Sequence, residues 1–279
     1  MKIILILSLL VSIVSMGQKI NKIGKLPKII EESSGLILYN DTLLITHNDS
    51  GDKPILYFIN LKGELIHQIT VSNAINDDWE EITKDPQGNI YIGDFGNNLN
   101  KRKNLTIYKI APENLLKTTH VVAKIITFSY PDQTAFPPAE KELNFDAEAM
   151  CVFNDSIWLF TKCRAVPFHG KSFVYTIPSQ PGNYTATVKD NLFISDSGFA
   201  KDAITGAAYG DSTLYLTTYN RIVVYQIFKN SFRFKKTIAT TPYSQKEAIA
   251  ISGDKSTLFL TDEVQKIIGG GNLYKINLK

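Results

Sequence analysis

The sequence predicts an all-β fold, a single β-propeller of five four-stranded blades, and two repeated patterns support this prediction. The first is a column in which a tyrosine is followed two residues later by an isoleucine. It occurs at Tyr57, Tyr108, Tyr175, Tyr225 and Tyr274, with spacings of 51, 67, 50 and 49 residues. The second is a short apolar hairpin before each tyrosine. A unit repeated at such a period is typical of propeller blades.

Each unit can be divided into four strands. The first strands are predicted at residues 35–38, 82–83, 149–152, 206–209 and 248–251. Turn residues such as Asn154-Asp155 and Gly253-Asp254 follow them, because these residues supply a positive φ or a local hydrogen bond. The second strands are predicted at residues 43–45, 90–92, 157–160, 214–216 and 258–260. The tyrosine strands come third, and fourth strands are predicted at residues 64–71, 123–128, 184–189 and 232–240.

The two ends of the chain predict how the ring closes. The fifth unit ends after its third strand, and residues 19–30 offer the missing fourth strand. An N-terminal strand that completes the last blade leaves no sheet edge exposed. The long interval between Tyr108 and Tyr175 leaves a sixth blade open as an alternative, although it holds one strand and a Pro-rich loop at residues 130–145. We expect that loop to act as a lid.

The first seventeen residues have the features of a signal peptide. Lys2 gives a positive start, residues 3–14 are an apolar run, and small residues precede a cut after Gly17. The run is shorter than the ~20 apolar residues that span a bilayer. We therefore expect a secreted or periplasmic protein with a propeller domain at residues 18–279 and no membrane span after cleavage. An uncleaved N-terminal anchor is the alternative.

Charge and cysteine content restrict the partners of the protein. The net charge is +3, and the basic residues are scattered, so we expect no nucleic-acid partner. We expect a monomer that binds a small-molecule or glycan ligand.

Cys151 and Cys163 are predicted on adjacent strands, with Cys151 opposite a residue near Trp158. This register favours two buried thiols over a disulfide, which an exported chain could otherwise form.

Polar residues recur where the first strands begin and where the second strands end. In an up-and-down blade these two positions lie at the same rim, so all blades contribute to one mouth of the central channel. One repeated column comprises Ser34, Glu80, Glu148, Thr205 and Glu247. Such side chains can instead hold blades together by bonding the backbone of the next blade. The predicted mouth is acidic, with candidates Glu32, Asp78, Glu80, Asp94, Asp146, Glu148, Glu247, Asp262 and Glu263.

So many carboxylates require compensation, because neighbouring like charges and burial both raise their pKa values. A hard cation, Ca²⁺ or Mg²⁺, would supply it through oxygen ligands. The candidate ligands are Asn48, Glu80, Asp94, Glu148 and Glu247. Alternatively, Lys162 and Arg164 pair with some of the carboxylates. The candidate catalytic residues are His47, Lys162 and Asp262, with His47 or a rim carboxylate as general base.

Five motifs together resemble a group of exported bacterial propellers whose activity is not assigned. They are Glu32-Ser33-Ser34-Gly35, the loop from His47 to Asp52, Asp78-Trp79-Glu80, the loop from Gly93 to Asn98, and Asp146-Ala147-Glu148-Ala149. Asn97 stands where an aspartate is expected. The chain is more distantly similar to the phytase-like and the gluconolactonase/paraoxonase-like calcium propellers. This resemblance implies a metal-dependent hydrolase of phosphate esters or lactones. A non-catalytic ligand-binding or scaffold propeller is the alternative.

Overall fold

The computed structural model describes residues 19–278, which form five sheets arranged as a β-propeller. The prediction of five blades is confirmed, and the alternative of six is wrong. The predicted signal peptide lies outside the described residues. Each blade runs from an inner strand to an outer one, and the first strand of each sheet contacts the first strands of the neighbouring blades. The inner strands therefore surround the central channel.

The strands are numbered in chain order, beginning with β1 at Ile20–Lys25. Blade 1 comprises β2 Ser33–Asn40, β3 Leu43–Asn48, β4 Ile55–Asn60 and β5 Leu65–Val71. Blade 2 comprises β6 Trp79–Lys84, β7 Ile90–Asp94, β8 Leu105–Ile110 and β10 Lys124–Ser129, with the short β9 His120–Val121 between the last two. Blade 3 comprises β11 Asp146–Phe153, β12 Ser156–Lys162, β13 Lys171–Pro178 and β15 Thr187–Phe193, with β14 Gly182–Thr185 before the last.

Blade 4 comprises β16 Ile204–Gly210, β17 Thr213–Thr218, β18 Arg221–Phe228 and β19 Ser231–Ala239. Blade 5 comprises β20 Lys246–Ile251, β21 Thr257–Asp262 and β22 Asn272–Asn277. The described helices are one short α-helix, Phe199–Asp202, and the 3₁₀ turns Lys28–Ile30, Leu115–Lys117 and Glu140–Glu142. Among residues 19–278, no helix has the length and apolar character needed to cross a membrane.

Strand β1 closes the ring as the sequence predicts. It pairs antiparallel with β22, from Ile20 opposite Ile276 to Lys25 opposite Asn272. Blade 5 therefore has four strands in the order β20, β21, β22, β1. The two ends of the described chain thus share one sheet, and their backbone hydrogen bonds hold the ring shut.

Two short strands add a feature that the repeat does not predict. Strand β9 pairs in parallel with β5 of blade 1, and β14 pairs in parallel with β10 of blade 2. Each extra strand lies in the connection between the third and fourth strands of the following blade. The fourth strand of blade 3, predicted at residues 184–189, is instead Thr187–Phe193. Residues 182–185 belong to the sheet of blade 2 because they extend its outer edge.

The apolar core consists of five clusters, one between each pair of neighbouring blades. Each cluster holds one tyrosine of the repeated column and its partner isoleucine, both buried. Tyr108 and Ile110 of blade 2, for example, pack against Ile45 and Phe58 of blade 1. Burial of one such side chain stabilises the fold by roughly 1.5–3 kcal/mol. The repeated column therefore serves packing between blades.

The two cysteines are free and buried. Cys151 lies opposite Trp158 in the hairpin of β11 and β12, as the sequence predicts.

Candidate functional site at the acidic mouth

A β-bulge interrupts the pairing of the first and second strands in every blade, at the same place each time. The register shifts between Ser33 and Leu36, Trp79 and Glu81, Ala147 and Ala149, Ile204 and Gly206, and Lys246 and Ala248. A bulge adds one unpaired residue and redirects its side chain. The residues at the five bulges are those of the repeated polar column, Ser34, Glu80, Glu148, Thr205 and Glu247.

The five residues of this column divide into two groups. Ser34 Oγ donates to the backbone oxygen of Glu80 in the next blade at 2.9 Å, and Thr205 Oγ1 donates to that of Lys246 at 2.7 Å. These two residues tie neighbouring blades together. Glu80, Glu148 and Glu247 are buried, with exposed fractions of 6%, 2% and 6%. Burial raises the pKa values of Glu80 and Glu247, and the charge of Glu148 raises both of them further.

On blade 3, the carboxylates are neutralised by the protein itself. Lys162 Nζ lies 3.0 Å from Glu148 Oε2, and Arg164 bridges Asp146 Oδ2 at 2.5 Å and Glu148 Oε1 at 3.0 Å. Burial lowers the pKa of Lys162, but Glu148, Tyr219 and Glu247 together raise it by more, and the pKa lies well above its ordinary value. Lys162 is therefore a buried counter-ion. Its predicted catalytic role stays a prediction, as does the role of Glu148 as a metal ligand.

Between blades 1 and 2, three carboxylates lie together, and none of them forms an ion pair with any of residues 19–278. Asp49, directly after β3, and Asp78 and Glu80, at the start of β6, each place one oxygen within 4.8 Å of the others. Asp49 and Asp78 are half-buried. Glu80 is 6% exposed, and among residues 19–278 its carboxylate has no hydrogen-bond or ion-pair partner. A buried charge without a partner is costly, so this cluster attracts a cation.

Gly96 provides the space that these carboxylates occupy. A Cβ at this position would lie 2.2 Å from Glu80 Oε1 and 2.5 Å from Asp78 Oδ2. The Gly96 amide also donates to the backbone oxygen of Asp78 at 3.1 Å. On the other side, the Asn76 amide holds the backbone oxygen of Asp49 at 2.8 Å. The loops that carry the cluster are therefore fixed by hydrogen bonds to the backbone oxygens of Asp49 and Asp78.

The electrostatics of the mouth differ from one side to the other. Burial, with repulsion from neighbouring carboxylates, raises the pKa values of Asp49 and Asp78 to about 6 and that of Glu80 well above its ordinary value. On blade 5, burial raises the pKa of Glu247 to about 8, and burial with the nearby Glu247 raises that of Glu263 to about 9. At pH 7, Asp49 and Asp78 are thus mostly ionised, whereas Glu247 and Glu263 hold their protons.

Two other predicted residues, Asp94 and Asp262, accept hydrogen bonds within their own blades. Asp94 Oδ1 accepts from Arg102 at 2.8 Å and from the Asp78 amide at 3.1 Å. Asp262 accepts from the Asn272 amide at 2.7 Å and from the Tyr274 hydroxyl at 2.6 Å, both within blade 5. The predicted roles of Asp94 and Asp262 stay predictions.

His47 and Asn48 lie at the end of β3. The His47 ring is fully buried against Trp79, with ring centroids 5.5 Å apart, and burial lowers its pKa to about 4. Its proposed role as general base stays a prediction, and the function proposed below uses other residues. Asn48 donates to Ile29 O at 2.9 Å and to Asp52 Oδ2 at 2.5 Å. Its Oδ1 is buried and has no hydrogen-bond partner among the described residues.

The sequence interpretation missed two residues of this channel. Asp49 is not among the predicted ligands, although it lies in the loop from His47 to Asp52, beside the predicted ligand Asn48. Glu81 follows Glu80 and reaches across the channel, where its Oε2 accepts from the Ala207 amide of blade 4 at 2.6 Å. Its Oε1 accepts from its neighbour Ile82 at 3.0 Å. No periodic signal distinguishes Glu81, because no other blade has an acid at this position.

The donor set of the Asp49, Asp78 and Glu80 cluster fits a hard divalent cation. It offers carboxylate oxygens and no histidine or cysteine among the described residues. Ca²⁺ takes six to eight oxygen ligands in flexible geometry, and Mg²⁺ takes fewer and retains water. Three carboxylates open to the mouth suit either ion, with water completing the shell. Of the predicted ligands, only Glu80 belongs to this cluster.

No protein-family model matches the chain, and neither does any curated protein. Among solved structures, it is similar to the glutaminyl cyclase of Myxococcus xanthus, with a TM-score of 0.56 and 9% identity over 92% of this chain and 95% of that one. It is also similar to the aldose sugar dehydrogenase of Streptomyces coelicolor, with a TM-score of 0.50 and 9% identity over 93% and 98%. A gluconolactonase from Xanthomonas campestris aligns with a TM-score of 0.47 and 13% identity over 94% and 90%. Identities this low show the propeller fold alone.

Proposed function

We propose that this protein is an exported hydrolase that requires a divalent cation and cleaves neutral esters or lactones at its acidic mouth. The observation that carries the proposal is the Glu80 carboxylate, which is 6% exposed and has no partner among the described residues. Asp49 and Asp78 lie beside it. None of these three carboxyl groups forms an ion pair with any of residues 19–278. A bound cation would supply the missing charge.

Asp49, Asp78 and Glu80 are the residues that would hold Ca²⁺ or Mg²⁺. A bound divalent cation polarises a carbonyl oxygen and acidifies water. The raised pKa values of the three carboxyl groups mean that a cation must compete with protons for them. Cation binding is therefore expected to strengthen as the pH rises above 6.

The two sides of the mouth are suited to opposite proton transfers. In the metal-free protein, Asp49 and Asp78 have pKa values of about 6 and are ionised at neutral pH, so a carboxylate oxygen that the cation leaves free can accept a proton from water. Glu247, with a pKa of about 8, keeps its proton and can donate it to a leaving alkoxide. Carboxyl groups whose environments separate their pKa values indicate an acid and a base. This pairing is what hydrolysis of an ester requires.

The charge balance favours neutral substrates over phosphate esters. Lys162 and Arg164, the cations of blade 3 at the mouth, are both engaged by Glu148 and Asp146. A phosphate monoester would bring up to two further negative charges to a site rich in carboxylates, and like charges repel across a low-dielectric cleft. A lactone or an uncharged ester avoids this repulsion. We therefore favour lactones and esters as the substrate class.

The test compares hydrolysis of δ-valerolactone, p-nitrophenyl acetate and p-nitrophenyl phosphate. We expect wild-type protein with Ca²⁺ to cleave the lactone or the acetate, and EDTA to abolish the activity. Glu80→Gln should lower kcat/KM at least ~100-fold, because loss of even an outer-shell metal contact costs 10–100-fold. Glu64→Gln, an exposed residue on blade 1, is the matched control. Equal rates in wild type and Glu80→Gln would favour a non-catalytic binding propeller.

A further inference from the structure

The opposite end of the channel holds a cavity, separate from the acidic mouth. Its volume is about 340 Å³, within the range of small-molecule sites. The later residues of the first strands line it, and all five blades contribute. Apolar side chains dominate the wall, including Leu36, Leu38, Ile82, Val152 and Ile251. The cavity is thus an apolar cup formed by the ends of the inner strands.

Glu81 separates this cup from the acidic mouth. Its carboxylate accepts hydrogen bonds from the amides of Ile82 and Ala207, two residues that line the cup. The connection joins blades 2 and 4 through the channel. Because the Glu81 side chain spans the axis, a ligand in the cup does not extend into the cluster of Asp49, Asp78 and Glu80. The two ends of the channel can therefore be tested independently.

Two lysines lie at the rim of the cup, and both contribute to its lining. Lys84 ends β6, and its Nζ donates to the backbone oxygen of Leu38 at 2.5 Å. Lys255 lies in the turn before β21, with its Nζ 3.2 Å from the position of a Cβ on Gly210. Neither ammonium group has an ion-pair partner among residues 19–278. Burial and the charge of Lys255 both lower the pKa of Lys84, so the two cations lie close enough to repel each other.

The rim also contains two acids, and one of them is already engaged. Asp85 accepts from the Asn89 amide at 2.8 Å and from the Tyr91 hydroxyl at 2.9 Å. Asp211 lies in the turn of blade 4, and it forms no ion pair with either lysine. An anion held between Lys84 and Lys255 would relieve their repulsion. The combination is therefore an apolar cup whose rim carries two lysines and two acids, and the lysines form no ion pair with either acid.

We propose that this cup binds an amphipathic carboxylate, a medium-chain fatty acid or a similar molecule, with its carboxylate between Lys84 and Lys255 and its apolar tail in the cup. The charge of the rim selects the headgroup, and the aliphatic wall selects the tail. A free amphiphile is the occupant, since the cup is a closed-ended pocket rather than a flat surface. This site is independent of the hydrolase proposed for the acidic mouth.

Isothermal titration calorimetry with decanoate, below its micelle concentration, tests the site. We expect the protein to bind one decanoate per chain with saturation. The affinity for the carboxylate should rise about fourfold for each methylene added from hexanoate to decanoate. Decanol should bind at least ~10-fold more weakly, because it lacks the charge that the lysines pair with. Decyltrimethylammonium should not compete with decanoate.

Lys84→Met and Lys255→Met supply the matched variants, since both side chains are at the surface and tolerate substitution. Each should weaken decanoate binding about tenfold while leaving decanol binding unchanged. Glu80→Gln should bind decanoate as wild type does, which separates this proposal from the metal site. No binding of decanoate, or equal affinity in wild type and the Lys84→Met, Lys255→Met double variant, would overturn the proposal.

Discussion

At the scale of single residues, identical side chains differ in their ion pairing because their neighbours differ. Glu80 and Glu148 occupy the same position in successive blades, each at a bulge of the first strand. Glu148 has a cation at each of its oxygens, Lys162 and Arg164. Glu80 has carboxylates beside it, Asp49 and Asp78. The repeat in the sequence predicts where both glutamates lie, but not which of them is neutralised.

Gly96→Ala tests whether the glycine makes room for the metal site. A Cβ there would lie 2.2 Å from Glu80 Oε1, so the two carboxylates must move apart. Because the obstructing atoms are side-chain tips, we expect the free energy of unfolding to fall by only about 1 kcal/mol. The affinity for Ca²⁺ should fall 10–100-fold. Titration calorimetry and urea unfolding measure the two effects.

Gly253→Ala is the control for that substitution. Gly253 is exposed, and no atom lies within 4 Å of the Cβ that alanine would add. It should leave Ca²⁺ affinity unchanged. If Gly96→Ala also retains wild-type affinity, the carboxylates are not positioned as the structure shows.

The metal-free protein should lose stability as the pH rises from 5 to 9. The pKa of Glu247 is about 8 in the folded chain against 4.5 as its ordinary value. The folded state therefore holds a proton that the unfolded state has released, and stability falls between these two values. Urea unfolding at several pH values measures the slope. Glu247→Gln should make that slope shallower, and an unchanged slope would show that Glu247 does not titrate as described.

At the scale of elements, the strand pattern was predicted well and the sheet edges were not. The turn residues and the tyrosine column place the inner three strands of each blade because both signals are local. Residues 184–189 are predicted as one strand, yet they divide between blades 2 and 3 near Ala186. The parallel pairing of β14 with β10 joins distant parts of the chain, and nothing in the alternation of side chains reveals it.

Thr205→Val tests the ties between blades at the bulges. Thr205 Oγ1 donates to the backbone oxygen of Lys246 at 2.7 Å, and valine keeps the shape without the donor. The buried carbonyl loses this partner, so we expect the free energy of unfolding to fall by about 1–3 kcal/mol. Thr213→Val, which removes a hydroxyl from a turn within blade 4, should cost less than ~0.5 kcal/mol. Equal losses in the two variants would show that the tie does not stabilise the contact between blades.

At the scale of the whole molecule, ring closure and convergence of the acids follow from topology. Both could be predicted, since every blade brings the same two strand ends to one rim. The identity of the ligands could not be, because it depends on distances between residues of different blades. Asp49 of blade 1 and Asp78 of blade 2 approach each other only when these two blades pack side by side. The sequence showed the location of the site, and the structure shows which members remain without a counter-ion.

Removal of residues 1–25 tests closure of the ring. It deletes β1, which supplies the outer strand of blade 5. We expect the melting temperature to fall by at least ~10 °C, since 1 kcal/mol corresponds to roughly 2–4 °C in a domain of this size. Removal of residues 1–18 alone, which leaves β1 intact, is the control and should leave the melting temperature unchanged. A similar melting temperature for both truncations would mean that β1 does not hold the ring.

Calorimetric titration of Ca²⁺ at pH 7 measures whether a divalent cation binds among Asp49, Asp78 and Glu80. We expect one site per chain, with proton release on binding, because carboxyl groups of raised pKa must ionise to hold the ion. Heats measured in buffers of different ionisation enthalpy report the released protons. Glu80→Gln should lose the site, and Glu64→Gln should keep it. Absence of Ca²⁺ and Mg²⁺ binding in the wild-type protein, or equal Ca²⁺ affinity in Glu80→Gln, would show that these three carboxylates do not form a cation site.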